Sequence, residues 1–180
     1  MSILDQFTRL SLPDCSFANQ TIVITGANTG LGLEAARHFV RLGASKVILG
    51  CRNAASGAAA MVDISSSTGR DDICEVWELD MADFTSIHRF VQRASALERL
   101  DAVVANAGVA KVRHSMTTAG IETTIAVNVV GTFLLAIGSL PLLRKSTAQT
   151  GIPGHLVIVS SGVHKWVRNE IAPLSFSPMS

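Results

Sequence analysis

The stretch Thr21-Ile22-Val23-Ile24-Thr25-Gly26-Ala27-Asn28-Thr29-Gly30-Leu31-Gly32 decides the fold. An apolar run of strand type meets three glycines, and a helical pattern follows at once. Glycine at these positions permits positive φ and lets a ligand approach the main chain without meeting a Cβ. A helix that begins near Gly30 points unpaired N–H groups, and the positive end of its dipole, at that gap. The stretch therefore predicts a strand, a tight turn and a helix N-terminus that together bind a phosphate.

The spacing of these glycines is informative. It reads Thr-Gly-x-x-x-Gly-x-Gly, which is one residue wider between the first two glycines than the common dinucleotide fingerprint. In this form it resembles the motif of the short-chain dehydrogenase/reductase family. The resemblance implies a nicotinamide dinucleotide held by six residues of the turn: Thr25, Gly26, Asn28, Gly30, Leu31 and Gly32.

Composition sets the bounds on fold size and on the class of partner. With 180 residues, 48% hydrophobic content and a formal net charge of +1, we expect one packed domain. Near-neutral charge without a basic cluster gives no reason to propose a nucleic acid as partner. Cys15, Cys51 and Cys74 are odd in number and widely spaced, so neither a disulfide framework nor a metal site is indicated. We expect reduced, partly buried thiols in a cytoplasmic protein.

The domain organisation follows from where the regular patterns begin and end. Residues 1–16 have no apolar core of the length that a secretory signal needs, so we expect a surface arm. Residues 17–168 form the predicted dinucleotide-binding domain, and residues 169–180 read as an irregular tail with two prolines. The uncharged stretch from Thr123 to Leu143 is a membrane-span candidate on length alone. Its Gly, Pro, Thr, Ser and Asn residues favour a buried helix instead, and we expect no membrane span.

Strand and helix patterns alternate along the chain. The predicted strands are 21–25, 46–50, 74–79, 101–105 and 155–160, and the predicted helices are 30–42, 54–66, 84–97 and 116–143. Strands joined by helices of this length form right-handed crossovers, which gives a parallel sheet covered on both faces. The fold class is therefore α/β, a Rossmann-like doubly wound sheet of about five strands that is incomplete at its C-terminal side.

The end of the second predicted strand bears on cofactor choice. An enzyme that prefers NAD usually places a carboxylate there, whereas the 2′-phosphate of NADP needs a cation. The sequence at this point is Gly50-Cys51-Arg52-Asn53, without an acid. Because Arg52 can bind a phosphate in bidentate fashion, we expect NADP, with NAD less favoured. The alternative is that Arg52 is a solvated residue at the start of the next helix.

Two further segments resemble the family. Asp80 closes the third strand, where the family's aspartate meets the adenine amino group, and the alternative for it is a helix cap or turn. Asn106, Ala107 and Gly108 close the fourth strand, where the family's Asn-Ala-Gly turn packs on the central strand and borders the cofactor. The alternative for this turn is a purely structural role.

Two residues are candidates for catalysis. Asn128 is the polar side chain in the apolar middle of its predicted helix, and a buried carboxamide without partners costs roughly 1–3 kcal/mol. The resemblance implies that it holds a water in a proton relay; the alternative is a core asparagine that ties the helix to backbone. Ser161 matches, by the register of the fifth strand, the family serine that polarises the substrate oxygen. Its neighbour Ser160 is expected to satisfy backbone groups.

The resemblance breaks after Ser161. Family chemistry uses a Tyr-x-x-x-Lys pair on the next helix, and this chain contains no tyrosine. Lys165 cannot replace the missing lysine, because it follows Ser161 by only four residues and has no phenol to tune. We interpret Lys165, His164 and His114 as loop residues rather than as replacement acids or bases.

Two classes of function remain. The first is an NADP-dependent oxidoreductase that acts on an alcohol or carbonyl, similar to the retinol-dehydrogenase-like and fungal-type reductases of secondary metabolism, which tailor small lipophilic metabolites. The second is a shortened relative that binds the nucleotide but is impaired in turnover, either a binding or regulatory remnant or the product of a truncated reading frame. In either case the fifth strand would be an open apolar edge, so we expect self-association through that edge and the long helix.

Overall fold

A computed structural model describes residues 13–111 and 113–161 of the chain. Its strands are β1 (Thr21–Thr25), β2 (Lys46–Cys51), β3 (Cys74–Glu78), β4 (Ala102–Ala105) and β5 (His155–Ile158). Its helices are α1 (Gly30–Arg41), α2 (Ala54–Thr68), α3 (Phe84–Ser95), α4 (Thr123–Ile125), a π-helical segment (Ala126–Gly131) and α5 (Thr132–Thr150). The strands pair in parallel in the order β3-β2-β1-β4-β5. The described chain thus confirms the predicted doubly wound α/β fold of five strands.

Strand β1 lies at the centre of the sheet, and all five of its residues are buried. Alternate side chains of a strand point to opposite faces. Ile22 and Ile24 belong to the core cluster beneath α1 and α2, whereas Val23 belongs to the cluster beneath α3 and the long helix. A strand buried on both faces explains why residues 21–25 are apolar with threonine only at the ends.

The amino-terminal edge of the sheet is fixed by one buried carboxylate. Asp101 is 2% exposed, and its Oδ2 accepts hydrogen bonds from the Thr21 N–H at 2.8 Å and from Arg99 Nε at 2.8 Å. The backbone of Asp101 also bonds to Thr21 on β1 and to His155 at the start of β5. One residue therefore sets the register of three neighbouring strands.

The long helix differs from its prediction at both ends. It runs from Thr123 to Thr150, whereas the sequence pattern predicted 116–143. Residues 116–122 form a turn instead, because Gly120 has φ +73° and the Glu122 side chain accepts from the Ile125 N–H and so caps the first helical turn. At the other end, Gly151 in the left-handed conformation stops the helix.

The helix Thr123–Thr150 is long and apolar enough to cross a membrane when only its length and composition are considered. The core helix of a soluble protein satisfies the same test. In this fold Leu135, Ala136 and Leu143 are buried, and Leu135 and Leu143 belong to the core cluster of Val23 on β1. Packing on the sheet therefore explains the apolar residues on the buried face of this helix.

The cysteines follow the prediction only in part. Cys51 is buried and Cys74 is half-buried, but Cys15 is exposed because it lies ahead of the first core contact of the domain. That contact is made by Phe17, whose ring packs edge-on against Phe39 at 4.7 Å. The predicted tail 169–180, His164, Lys165 and most of the predicted N-terminal arm lie outside the described residues.

Candidate nucleotide-binding site

A cleft of about 330 Å³ opens at the carboxyl ends of the strands. Ligands of open parallel sheets bind at this edge. Eight residues that the sequence predicted for the cofactor line the cleft: Thr25, Gly26, Asn28, Arg52, Asp80, Asn106, Ala107 and Gly108. The fold therefore gathers segments from the ends of four strands into one cavity.

The first wall of the cleft is the glycine turn between β1 and α1. Gly26 and Gly30 have φ of +65° and +57°, as the sequence predicted. A Cβ on Gly30 would meet nothing within 4 Å, so the main chain there faces open space. The α1 N-cap, Thr29, makes no side-chain hydrogen bond to the helix, and the first turn of α1 carries no acidic residue. These features leave the helix N-terminus available for an anion.

The third glycine serves packing rather than ligand contact. A Cβ on Gly32 would lie 2.5 Å from Asn106 Nδ2 and 2.5 Å from the Gly26 carbonyl oxygen. Gly30, Leu31 and Gly32 are not among the residues that line the cleft. Leu31, which the sequence predicted to hold the cofactor, is 76% exposed.

Thr25 holds the second wall of the cleft. Its Oγ1 accepts from the Asn106 N–H at 3.0 Å and from the Ala107 N–H at 2.9 Å. Asn106 Nδ2 donates in return to the Thr25 carbonyl oxygen at 3.0 Å. Gly26 also approaches Ala107, since a Cβ on Gly26 would lie 3.0 Å from the Ala107 Cα. The Asn106-Ala107-Gly108 turn is thus fastened to the glycine turn.

The third wall is the end of β2 and the start of α2. Arg52 is exposed, and none of the ion pairs among residues 13–111 and 113–161 involves it. Asn53 caps α2, because its Oδ1 accepts from the Ser56 N–H at 3.0 Å. Arg52, Asn53 and Ser56 all line the cleft. Arg52 therefore lines the cleft together with two residues that carry short polar side chains.

The fourth wall is the loop after β3. Asp80 Oδ1 accepts from the Ala82 N–H at 2.9 Å, which forms a tight turn, while Asp83 is the cap of α3. The turn role considered for Asp80 is therefore present, and the same residue lines the cleft. The long helix touches this loop closely, because a Cβ on Gly131 would overlap the Met81 carbonyl oxygen.

Asn128 was predicted to be buried, and this prediction is wrong: the residue is exposed. Its partners are nevertheless definite, since Oδ1 accepts from the Val109 N–H at 2.9 Å and Nδ2 donates to the Val109 carbonyl at 2.8 Å. Asn128 lies in the π-helical segment, a widened turn that is often found at functional sites. Both polar atoms of the side chain thus tie the helix to backbone, which is the arrangement considered as the alternative.

Ser161 follows β5 and is exposed. It is not among the residues that line the cleft. The pairing of β5 with β4 places Ile158 beside Ala105, and the Val159 N–H continues the ladder to the Ala105 carbonyl at 3.0 Å. Ser161 therefore lies at the same sheet edge as the Asn106 turn.

Burial also determines how reactive the Cys51 thiol is. Cys51 is 1% exposed, and burial raises the pKa of its thiol. A protonated thiol is a poor nucleophile. Cys51 therefore supports the wall that carries Arg52 and is not a reactive group at the cleft.

Eight lining residues were not predicted as site residues: Thr29, Gly50, Asn53, Ser56, Leu79, Met81, Val109 and Val127. Seven of them lie within two positions of a predicted site residue, so extending each motif by one or two positions would have found them. Ser56 has no such signal, because it lies four positions after Arg52, inside α2. No group of three or more metal-ligating side chains occurs in the part of the chain described.

The chain is similar to proteins of one known family. Residues 20–172 match the family model for short chain dehydrogenases. The chain is 46% identical over 164 residues to the short chain dehydrogenase FGM9 of Gibberella zeae, covering 91% of this chain and 48% of that protein. It is 43% identical to the short chain dehydrogenase atnD of Emericella nidulans, covering 89% of this chain and 51% of that protein. The chain spans about half the length of the curated relatives it matches.

Solved structures are similar as well. One is a protein of Escherichia coli CFT073 described as a short chain dehydrogenase and complexed with NADPH. It has a TM-score of 0.67 and 32% identity, over 84% of this chain and 62% of that one. Another is a metagenomic short-chain oxidoreductase in complex with NADP, with a TM-score of 0.67 and 28% identity, over 81% of this chain and 63% of that one. The glycine turn, the clamped Asn-Ala-Gly turn and these matches agree: the chain belongs to the short chain dehydrogenase family.

Proposed function

We propose that the chain binds NADP(H) in this cleft and takes part in hydride transfer between the cofactor and an alcohol or carbonyl of a small lipophilic metabolite. The observation that carries the proposal is the pairing of the uncapped start of α1, where Thr29 lines the cleft and Gly30 faces open space, with Arg52, which forms no ion pair with any described residue. The helix start suits a pyrophosphate and the guanidinium suits a 2′-phosphate. Two of the similar solved structures contain NADPH or NADP, which supports the same choice.

The described residues fit this cofactor. The uncapped first turn of α1 would hold the pyrophosphate, Arg52 the 2′-phosphate, and Asp80 the adenine side of the cleft. The nicotinamide of the bound cofactor supplies or accepts the hydride. Asn128 would keep Val109 in place along the cleft, and Ser161 would donate to the substrate oxygen from the neighbouring strand end.

A second candidate is a protein that binds the nucleotide but does not turn it over. One observation favours it: both polar atoms of the Asn128 side chain are already engaged by Val109, so the side chain is occupied with backbone contacts.

Titrations of NADPH and NADH into the full chain test the cofactor proposal. We expect tighter binding of NADPH, and we expect Arg52→Asp to remove that preference because it places a carboxylate beside the 2′-phosphate. Arg144→Asp, an exposed site at the far end of α5, changes the charge equally and should keep the preference. Equal binding of both cofactors by the unmodified chain would contradict the NADP proposal.

A reduction assay separates the two candidates. Loss of NADPH absorbance in the presence of an aromatic ketone, above the rate of a Ser161→Ala variant, would support the oxidoreductase. Tight NADPH binding with equal rates in both proteins would support the binding protein. Absence of NADPH binding would contradict both.

We further propose that the chain associates with a second copy of itself. Five side chains at helical spacing are exposed by 36% or more: Ile125, Val129, Phe133, Ile137 and Leu140. Val157 and Ile158 are also exposed on β5, the edge strand of the described sheet. Exposed apolar surface of this extent is typical of protein contacts.

A further inference from the structure

The segment that joins the Asn-Ala-Gly turn to the long helix begins and ends at the wall of the cleft. It leaves the cleft at Val109 and returns to it at Val127, and both residues line the cavity. Asn128 fixes the exit point through its two hydrogen bonds to Val109. Lys111 and Arg113 follow this exit point by two and four positions.

The described part of this segment is held by its own hydrogen bonds. The Thr123 N–H donates to the Ser115 carbonyl at 2.8 Å, and Ser115 Oγ donates to Thr123 Oγ1 at 2.9 Å. The Thr117 N–H donates to the Ile121 carbonyl at 2.8 Å, and Met116 pairs with Glu122 in an antiparallel bridge. These bonds fix the base of the segment against the start of the long helix.

Two cations, Lys111 and Arg113, lie on the same segment. Both are exposed, and no carboxylate of the described residues forms an ion pair with either of them. The side-chain partner of Lys111 is neutral, since its Nζ donates to Ser115 Oγ at 3.1 Å. Elsewhere in the described chain, cations such as Arg37 and Lys46 are paired with carboxylates.

The acidic residue of this segment, Glu122, caps the long helix. Glu122 accepts from the Ile125 N–H at 2.9 Å and from Thr124 Oγ1 at 3.1 Å, as the cap of the long helix. Hydrogen bonding from the Thr124 and Ile125 backbone lowers the pKa of Glu122. The Glu122 carboxylate therefore caps the helix N-terminus. Lys111 and Arg113 remain available to bind another anion.

We infer that Lys111 and Arg113 select a substrate that carries an anionic group, a carboxylate or phenolate, beside its carbonyl. Val109 and Val127 would contact the apolar part of such a molecule while the two cations contact its charge. The inference rests on the proposed function, because it assigns a substrate class to the same cleft. It refines the lipophilic substrate of that proposal to an amphipathic anion.

Binding of two matched probes to the NADPH-loaded chain tests the inference. The probes are 4-acetylbenzoate and its neutral methyl ester, followed by saturation-transfer NMR and calorimetry. We expect the carboxylate to bind about three- to tenfold more tightly than the ester, which is the range that two exposed charge contacts supply. We expect 0.5 M salt to reduce the difference.

The variants make the result specific to this segment. Lys111→Gln with Arg113→Gln should bring the two probes to equal affinity and leave NADPH binding unchanged. Arg144→Gln with Lys145→Gln removes the same charge from an exposed, distant site and should keep the carboxylate preference. Failure of NADPH to bind would overturn the proposed function itself. If NADPH binds but the two probes bind equally, or not at all, only the inference is overturned. The same holds if both double variants lose the carboxylate preference to the same extent.

Discussion

Thr25 and Asn106 bind each other in both directions. The Asn106 N–H donates to Thr25 Oγ1 and the Asn106 carboxamide donates to the Thr25 carbonyl, both at 3.0 Å. The residues are 81 positions apart in the sequence, yet they hold together two of the turns that line the cleft. The cleft is therefore a property of contact between β1 and β4, rather than of the glycine turn alone.

Replacement of the Thr25 hydroxyl should loosen this contact. Thr25→Val keeps the shape of the side chain but leaves the N–H groups of Asn106 and Ala107 without their acceptor. We expect a loss of about 1–3 kcal/mol in the free energy of unfolding, measured in urea, together with weaker NADPH binding. Thr25→Ser retains the acceptor and should stay close to the parent protein. Equal effects of the two substitutions would show that the hydroxyl is not responsible.

Burial should decide which ion pair matters for stability. Asp101 is 2% exposed and bonds to Thr21 and Arg99, so Asp101→Ala leaves a buried N–H and a cation unpaired. We expect a loss of about 3–5 kcal/mol. Glu75 and Lys46 have side chains that are 40% and 39% exposed, and Glu75→Gln should cost less than about 1 kcal/mol. A comparable loss for both variants in urea denaturation would contradict this account.

The thiols should differ in reactivity. Burial raises the pKa of Cys74 to about 11 from an ordinary value of 9.0, and it also raises the pKa of Cys51. Both thiols should therefore stay protonated at pH 8, whereas the exposed Cys15 reacts quickly with a disulfide reagent. Because the folded pKa of Cys74 is the higher one, its contribution to stability is present below pH 9 and is lost as the pH rises through about 11. Rapid labelling of more than one thiol in the native chain at pH 8 would count against this burial.

Self-association should depend on the exposed stripe of the long helix. Phe133→Lys with Ile137→Lys places charge at two positions that are 52% and 65% exposed. We expect a lower fraction of the dimer in light scattering coupled to size-exclusion chromatography. Val62→Lys, at a 61% exposed site on α2, is the control and should leave the distribution unchanged. A parent chain that elutes only as a monomer at high concentration would refute the proposal.

The sequence predicts the local features of the fold well. The strand, the turn and the start of α1 follow from residues 21–32, because glycine conformations and strand patterns depend on neighbours in the chain. The start of the long helix was misplaced since a turn held by Gly120 and a cap at Glu122 interrupt an apolar pattern that looks continuous.

Long-range features of the site could be predicted only in part. The family pattern identified Asn106, but the clamp with Thr25 requires two distant segments to meet. The sequence predicted a buried Asn128 because the middle of its helix carries no charged residue. An uncharged stretch does not show which face of the helix packs on the sheet, and Asn128 is exposed. Ser56 has no sequence signal, because it lies inside α2, four positions after Arg52, and reaches the cleft only when α2 packs against the sheet.

The central claim is that the cofactor lies against the bare main chain at Gly30, and one pair of variants tests it most directly. Gly30→Ala and Gly69→Ala incur the same strain of about 1–2 kcal/mol, since the two glycines have φ of +57° and +66° and open space around them. Only Gly30 lies beside the cleft. Calorimetric titration with NADPH should give equal affinities for the parent chain and Gly69→Ala, and an affinity about tenfold or more weaker for Gly30→Ala. Equal binding by all three proteins, or no heat with the parent chain, would contradict the account.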